Sequence, residues 1–137
     1  MLIGDITPDK LFLCQLLNAA QRNISDAHIE AVSAENRFDA AYKAIMQLAM
    51  ASLYANGYRT LTNRPGHHQT AIQGLVHSIG LANEQVWTID ALRKQRNLND
   101  YSGELVPESA VNACIEQALM LQAAVTDWIQ TNKPVLT

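Results

Sequence analysis

The distribution of glycine and proline constrains this chain more than any other feature of its sequence. Both residues are absent from 9–56, 81–102 and 108–133, and elsewhere they fall in short clusters. Because glycine and proline interrupt regular structure more strongly than other residues, the three long gaps predict long helices. The 137 residues, 48% of them apolar, suit one domain over 1–137 with a core of its own.

Apolar residues recur at helical spacing in five segments, so five helices are expected. Capping residues and helix-starting prolines indicate where four of them begin, at Thr7-Pro8, Ser33, Asn83 and Pro107. The first helix is expected to extend to about Ala31. A shorter helix is expected between the loop 58–66 and Gly80, with Ile72, Leu75, Val76 and Ile79 on one face.

The predicted core follows the apolar stripes of these helices. The second helix, which should end at Asn56-Gly57, contributes Phe38, Ala41, Tyr42, Ile45, Leu48, Ala49, Ser52 and Leu53. The last contributes Val111, Cys114, Ile115, Ala118, Leu119, Gln122, Val125 and Ile129. No segment reads as a strand, and the connections are short. We therefore expect an all-α, antiparallel up-and-down helical bundle of four to five helices.

Several classes of protein are disfavoured by the composition. Cys14 and Cys114 lie far apart and outside any Cys/His metal-binding spacing, so neither a metal nor another cofactor is expected. Apolar runs are short, and the N-terminus carries two aspartates before any hydrophobic stretch, which disfavours a membrane helix and a secretory signal. The expected location is the cytoplasm.

Positive charge is concentrated in residues 57–98. This segment has a net charge of +3 and the rest of the chain −6, because its cations are Arg59, Arg64, Arg93, Lys94 and Arg96 against Glu84 and Asp90. It also holds three of the four histidines, His67, His68 and His77. The pattern indicates either a surface for an anionic ligand or an ordinary solvated basic face.

Arg96 has the least expected position of these cations. It follows Leu92 by four residues and Ile89 by seven, so it should emerge near the inward stripe of its helix. The alternative is that Arg93, Lys94 and Arg96 together stabilise the C-terminal end of the helix through its dipole. The dipole accounts for the sign of the charge but not for the inward direction.

Four ordered segments carry a resemblance to a known family. They are Glu35-Asn-Arg-Phe-Asp-Ala-Ala-Tyr42, Asn56-Gly-Tyr-Arg59, Gly66-His-His68 and Arg93-Lys-Gln-Arg-Asn-Leu-Asn-Asp-Tyr101. With five helices in a short chain, this set resembles the HEPN superfamily over about residues 10–130. It is most similar to a bacterial subgroup related to a streptomycete group. The family motif is an arginine, a polar residue and, after a short interval, a histidine; Arg96 and Asn97 match the first two positions, and Tyr101 stands where the histidine is expected.

The resemblance implies a symmetric homodimer in which two motifs face one cleft and cleave RNA without a metal. In such families the arginine holds the scissile phosphate and the histidine assists attack by the 2′-hydroxyl. Tyr101 has a reference pKa of about 10, so at pH 7 it donates a hydrogen bond but hardly acts as a base. His67 or His68 is the candidate replacement for the missing imidazole.

Three functions remain open at this point. The first is binding of RNA or a nucleotide without efficient catalysis, through Arg59, Arg93, Arg96, Asn97, Tyr58, His67 and His68. The second is a toxin-like, metal-independent endoribonuclease whose catalytic residues are Arg96, Tyr101, His67 and His68. The third is a non-enzymatic helical partner of a nucleotidyltransferase or of an antitoxin. The sequence does not decide whether the chain is an enzyme.

The remaining aromatic and histidine residues have simpler expectations. Tyr42 is expected in the core, and Trp87 and Trp128 in the core or at a dimer interface. Tyr58 suits either stacking on a base or packing against a helix end. His77 is expected to be a partly buried polar group.

Overall fold

Four long helices form the body of the fold. The computed structural model describes residues 2–3, 6–60 and 66–137, with the backbone alone at residues 2, 3, 60 and 101. The long helices are α1 (Lys10–Ala27), α2 (Ala34–Ala55), α5 (Asn83–Ser102) and α6 (Glu108–Asn132). Between α2 and α5 lie the short α3 (His67–Gln73) and α4 (Leu75–Ser78), and a 3₁₀ turn at Pro134–Leu136 follows α6. The prediction of an all-α helical bundle is confirmed.

Helix α2 is the centre of the core, because it is buried on almost every side. The expected stripe of Phe38, Ala41, Tyr42, Ile45, Leu48, Ala49, Ser52 and Leu53 is buried throughout. Five further residues of α2 are buried as well: Arg37, Ala44, Met46, Ala51 and Ala55. Alanines allow neighbouring helices to approach closely, so α2 can be surrounded by the other helices.

The contacts of α2 show the direction of its neighbours. Arg37 near the start of α2 donates to the carbonyl of Ala27 at the end of α1, so these helices are antiparallel. Arg37 also pairs with Glu108 at the start of α6, with a distance of 2.6 Å between Nη1 and Oε1, so α6 is parallel to α2. The late residues of α5 lie beside the start of α2. The four long helices therefore alternate in direction, as expected.

Helices α3 and α4 depart from this alternation. Tyr42 bonds to His68 and Ser52 to Ser78, and both pairs are 26 residues apart. A constant separation means that α3–α4 runs in the same direction as α2. Helix α3 therefore begins level with Tyr42 and not with the end of α2, so that His68 lies beside Tyr42.

A minimal sheet ties the N-terminus to this connection. Strands β1 (Leu2–Ile3) and β2 (Arg59–Thr60) pair antiparallel, with Ile3 opposite Arg59. The expectation that no segment forms a strand was wrong here. Two residues per strand are too few for an alternating pattern to be visible in a sequence.

Several helix ends differ from the expected ones. The cap of α1 is Asp9, whose carboxylate accepts from the backbone of Leu11, rather than Thr7, and α1 ends at Ala27 rather than Ala31. Asn83 is the first residue of α5 instead of its cap. Ser33 caps α2 as predicted, by accepting from the backbone of Asn36. Side-chain caps compete within two or three residues of each other, and tertiary packing decides which of them is used.

Some residues expected inside lie outside. On α6 the core uses Leu121, whereas Leu119 is exposed and Gln122 half-buried, because the stripe steps three residues on from Ala118 instead of four. Trp87 is 67% exposed, so it is not a core residue, and His77 is exposed rather than partly buried. None of the described helices combines the length and hydropathy needed to cross a membrane.

Candidate functional site

Arg96 lies on the side of α5 that faces α2. Val86, Ile89 and Leu92 of the same stripe are buried, and Arg96 continues it with one third of its side chain exposed. The guanidinium carbon is 5.2 Å from the centre of the Tyr42 ring, within the range of a cation–π contact. The predicted inward direction of Arg96 is confirmed. Because α5 continues to Ser102 and its last turn holds no basic residue, the alternative of a helix-end dipole contact does not apply.

Tyr42 joins Arg96 to the histidine turn. Its ring is 2% exposed, as expected of a core residue, but its hydroxyl is 2.9 Å from Nδ1 of His68. The two ring centres are 5.7 Å apart. Sequence reasoning placed Tyr42 in the core and assigned it no function, because nothing in a helical stripe indicates where a buried hydroxyl points. We call Arg96, Tyr42, His67 and His68 the Arg96 site.

The two histidines lie together instead of diverging. Gly66, in the left-handed conformation at φ +80°, precedes α3, and the His67 and His68 rings then meet edge to face with centres 4.4 Å apart. Both rings are half-buried. The histidine turn therefore contributes two imidazoles to one side of the Arg96 site.

The charge around these groups is locally positive. Burial lowers the pKa of His68 from its usual 6.5, and His67, Arg96 and Arg93 lower it further. His68 is therefore mostly neutral at pH 7. Burial raises the pKa of Tyr42 to about 12 despite the opposing effect of Arg96 and Arg93, so its hydroxyl keeps its proton. The Arg96 site can therefore offer a cation and a neutral imidazole to an anion, while the buried Tyr42 hydroxyl is engaged with His68.

A cavity of about 350 Å³ opens beside Arg96, between the start of α2 and the end of α5. It is lined by Phe38, Arg96, Asn99, Gly103, Leu105 and Val106 and by the carboxylates of Glu35, Asp39, Asp100 and Glu104. We call it the acidic cavity. Asp39 comes nearest to the arginine, with 3.8 Å between Oδ1 and Nε. The pKa of Asp39 is raised, chiefly by burial and also by Asp100, although Arg96 and Lys43 act in the opposite direction.

The other predicted ligand-binding residues differ from Arg96 in what their side chains contact. Arg93 lies close enough to lower the pKa of His68 and of Tyr42, but it is half-buried and its Nε donates to Asp90 Oδ1 at 2.8 Å. Asn97 is exposed, and consecutive helical residues project about 100° apart, so it does not share the direction of Arg96. The Tyr101 side chain lies outside the described part of the structure, as does Arg64.

Tyr58 and Arg59 are exposed and follow the end of α2. The rise along α2 from Tyr42 to Ala55 is roughly 20 Å, so both residues lie well away from the Arg96 site. Tyr58 is 44% exposed, so part of its ring is accessible for stacking. Only a ligand several nucleotides long would reach both places.

The described residues contain no group of three or more His, Cys, Asp or Glu side chains arranged to hold a metal ion. No protein-family model matches this chain, and a search of curated proteins finds no match either.

Proposed function

We propose that this chain is a HEPN-like domain that binds RNA, or the phosphate of a nucleotide, at Arg96 in a cleft between the two chains of a homodimer. The observation that carries the proposal is the contact of Arg96 and His68 with the same Tyr42 side chain. Arginine presents a planar fork of donors that suits phosphate, and one third of Arg96 is open to a ligand.

The homodimer is supported by an exposed apolar residue beside this site. Leu105 is 85% exposed and lines the acidic cavity next to Arg96. A second chain that covered Leu105 would also close the cavity. A cleft formed by two chains at Arg96 requires them to touch at this position.

Binding of single-stranded RNA to matched variants tests the proposal. Replacing Arg96 with alanine should remove a charge-assisted contact of about 1.5–3 kcal/mol, or roughly tenfold to a hundredfold in affinity. Lys94→Ala is the matched control, because Lys94 carries the same charge on the same helix and is 70% exposed. Fluorescence anisotropy with labelled RNA should show a loss for Arg96→Ala well beyond that for Lys94→Ala. Equal losses would reduce the interaction to general electrostatics.

A metal-independent endoribonuclease is the second candidate, and the neutral His68 beside Arg96 favours it. Such an imidazole is a suitable proton acceptor near pH 7. If wild type cleaves RNA in the presence of EDTA, His68→Gln should slow cleavage by about 100-fold or more. If wild type only binds RNA, Tyr101→His tests whether the motif histidine restores cleavage. If neither wild type nor Tyr101→His cleaves RNA, the endoribonuclease hypothesis is excluded.

The outer face of α5 supports the third candidate, a helical partner of a nucleotidyltransferase or an antitoxin. Trp87 and Leu98 are 67% and 60% exposed, and Trp87 projects about 180° away from Arg96 around α5. A protein that covered this face would leave the Arg96 site open. Trp87→Ser should then weaken binding of such a partner and leave RNA binding unchanged.

A further inference from the structure

Four residues with carboxylates line the acidic cavity together with Arg96 of the Arg96 site. Glu35 and Asp39 come from α2, Asp100 from α5 and Glu104 from the loop after it. The opposing cations are Arg96 and, beside Asp39, Lys43. A site built only to attract negative charge would not open beside a cavity with four carboxylates, so the carboxylates need an explanation of their own.

Asp39 is the carboxylate with the most direct effect on Arg96. The separation of 3.8 Å between Oδ1 and Nε is longer than a hydrogen bond, so Asp39 opposes the charge of the guanidinium without occupying its donors. The Asp39 side chain is 53% exposed, so its carboxylate is open to solvent beside Arg96. A ligand at Arg96 is therefore attracted by the guanidinium and repelled by Asp39 at the same time.

This arrangement discriminates between two kinds of phosphate. A phosphodiester within an RNA strand carries one negative charge, whereas a terminal phosphate monoester carries nearly two at pH 7.5. The attraction to Arg96 and the repulsion from Asp39 both grow with the charge of the ligand. Because the four carboxylates of the cavity outnumber Arg96 and Lys43, the net effect disfavours the more highly charged monoester.

We propose that Asp39 makes the Arg96 site selective for the phosphodiester groups of an RNA strand over terminal phosphates. This inference rests on the proposed function, and it assigns to Asp39 a specificity-determining role. The same residue that weakens binding of every anion weakens binding of the doubly charged one most. Free nucleotides, with their terminal phosphates, are then poor competitors for RNA.

A matched pair of ligands tests the selectivity. The dinucleoside monophosphate ApA has one phosphodiester and no terminal phosphate, and adenosine 5′-monophosphate has a terminal phosphate on the same base. Each is titrated as a competitor of labelled RNA at pH 7.5 and fixed ionic strength. The proteins are wild type, Asp39→Asn and Asp127→Asn, the last making the same change at an exposed position on α6.

Wild type should bind ApA more tightly than the monophosphate. Asp39→Asn should strengthen binding of both ligands, and that of the monophosphate more. The reason is that one removed charge changes affinity by about threefold to tenfold per unit of ligand charge. The preference for ApA should therefore narrow by about threefold to tenfold. Asp127→Asn should leave the preference unchanged. Asp100→Asn, which alters a second carboxylate of the cavity, should narrow it less.

The outcomes separate the two claims. If Arg96→Ala abolishes competition by both ligands and Asp39→Asn leaves their ratio unchanged, the selectivity is wrong and phosphate binding at Arg96 stands. If neither ligand competes, or if competition does not depend on Arg96, the proposed function itself fails. Thermal unfolding of Asp39→Asn confirms that the variant is folded, and Asp39→Ser repeats the measurement with a smaller side chain.

Discussion

At the scale of single residues, the Arg96 site depends on Tyr42, which in the sequence is one member of an ordinary apolar stripe. Tyr42 is among the largest fully buried side chains, yet one face of its ring meets the Arg96 guanidinium and its hydroxyl meets His68. A buried ring held on a central helix has little freedom to move. Tyr42 therefore acts as a positioning residue, which fixes the relative placement of a cation and an imidazole from different helices.

The pH dependence of stability tests the environment of His68. Its pKa in the folded chain is below the usual 6.5, so the unfolded chain takes up this proton more readily than the folded one. The free energy of unfolding should therefore fall as the pH drops from 6.5 through the folded pKa of His68, and this contribution should level off below it. Urea unfolding at a series of pH values measures the effect.

His68→Gln should remove that part of the pH dependence, while His77→Gln, at an exposed position, serves as the control. If the free energy of unfolding depends on pH as steeply in His68→Gln as in wild type, another group causes the dependence.

At the scale of elements, the turn after α2 holds the N-terminal segment against the end of α2. Gly57 ends α2 at φ +87°, and its carbonyl accepts from the backbone of Ile6 at 3.0 Å. A Cβ at this position would lie 3.0 Å from the Ile6 carbonyl oxygen. This glycine therefore serves both the left-handed backbone and the close approach of the N-terminal segment.

Gly57→Ala should destabilise the fold by more than about 1 kcal/mol, because it adds a clash to the cost of a left-handed alanine. Gly103→Ala is the matched control, since its φ is +69° and a Cβ there would meet nothing within 4 Å. Chemical denaturation of the two variants compares them. If Gly103→Ala costs as much as Gly57→Ala, the contact with Ile6 has no energetic weight.

The helices were predictable from the sequence because their signals are local. Gaps free of glycine and proline located all the long helices, and the apolar stripe of α2 was correct at every position. The parallel course of α3–α4 was not predictable, because it depends on contacts between residues 26 positions apart. The inward direction of Arg96 could be predicted because it follows from the stripe of its own helix. Its contacts with Tyr42 and Asp39 could not, because those residues belong to another helix.

At the scale of the whole molecule, the two faces of α5 suit two separate interactions. Arg96 faces α2 and the acidic cavity, while Trp87 and Leu98 face away from the core. Leu105, beyond the end of α5, is the exposed apolar residue at the mouth of the cavity. Closure of the site by a second chain is therefore proposed at Leu105 and not at Trp87.

Leu105→Asp should convert the proposed dimer to a monomer, because it places a charge in the apolar contact. The thermal unfolding midpoint of the dilute protein should change little, since Leu105 is 85% exposed in the single chain. Sedimentation velocity at tens of micromolar gives the oligomeric state. A dimer that survives Leu105→Asp would move the interface elsewhere.

The most direct test of the central claim is an NMR titration with a short RNA that carries hydroxyls at both ends. The arginine Nε–H and histidine ring C–H resonances report on Arg96 and His68 separately, and Arg22, exposed on α1, is the reference. The Arg96 and His68 resonances should shift together and yield one dissociation constant, while that of Arg22 stays in place. If RNA binds and the Arg96 and His68 resonances do not shift, binding at Arg96 is contradicted.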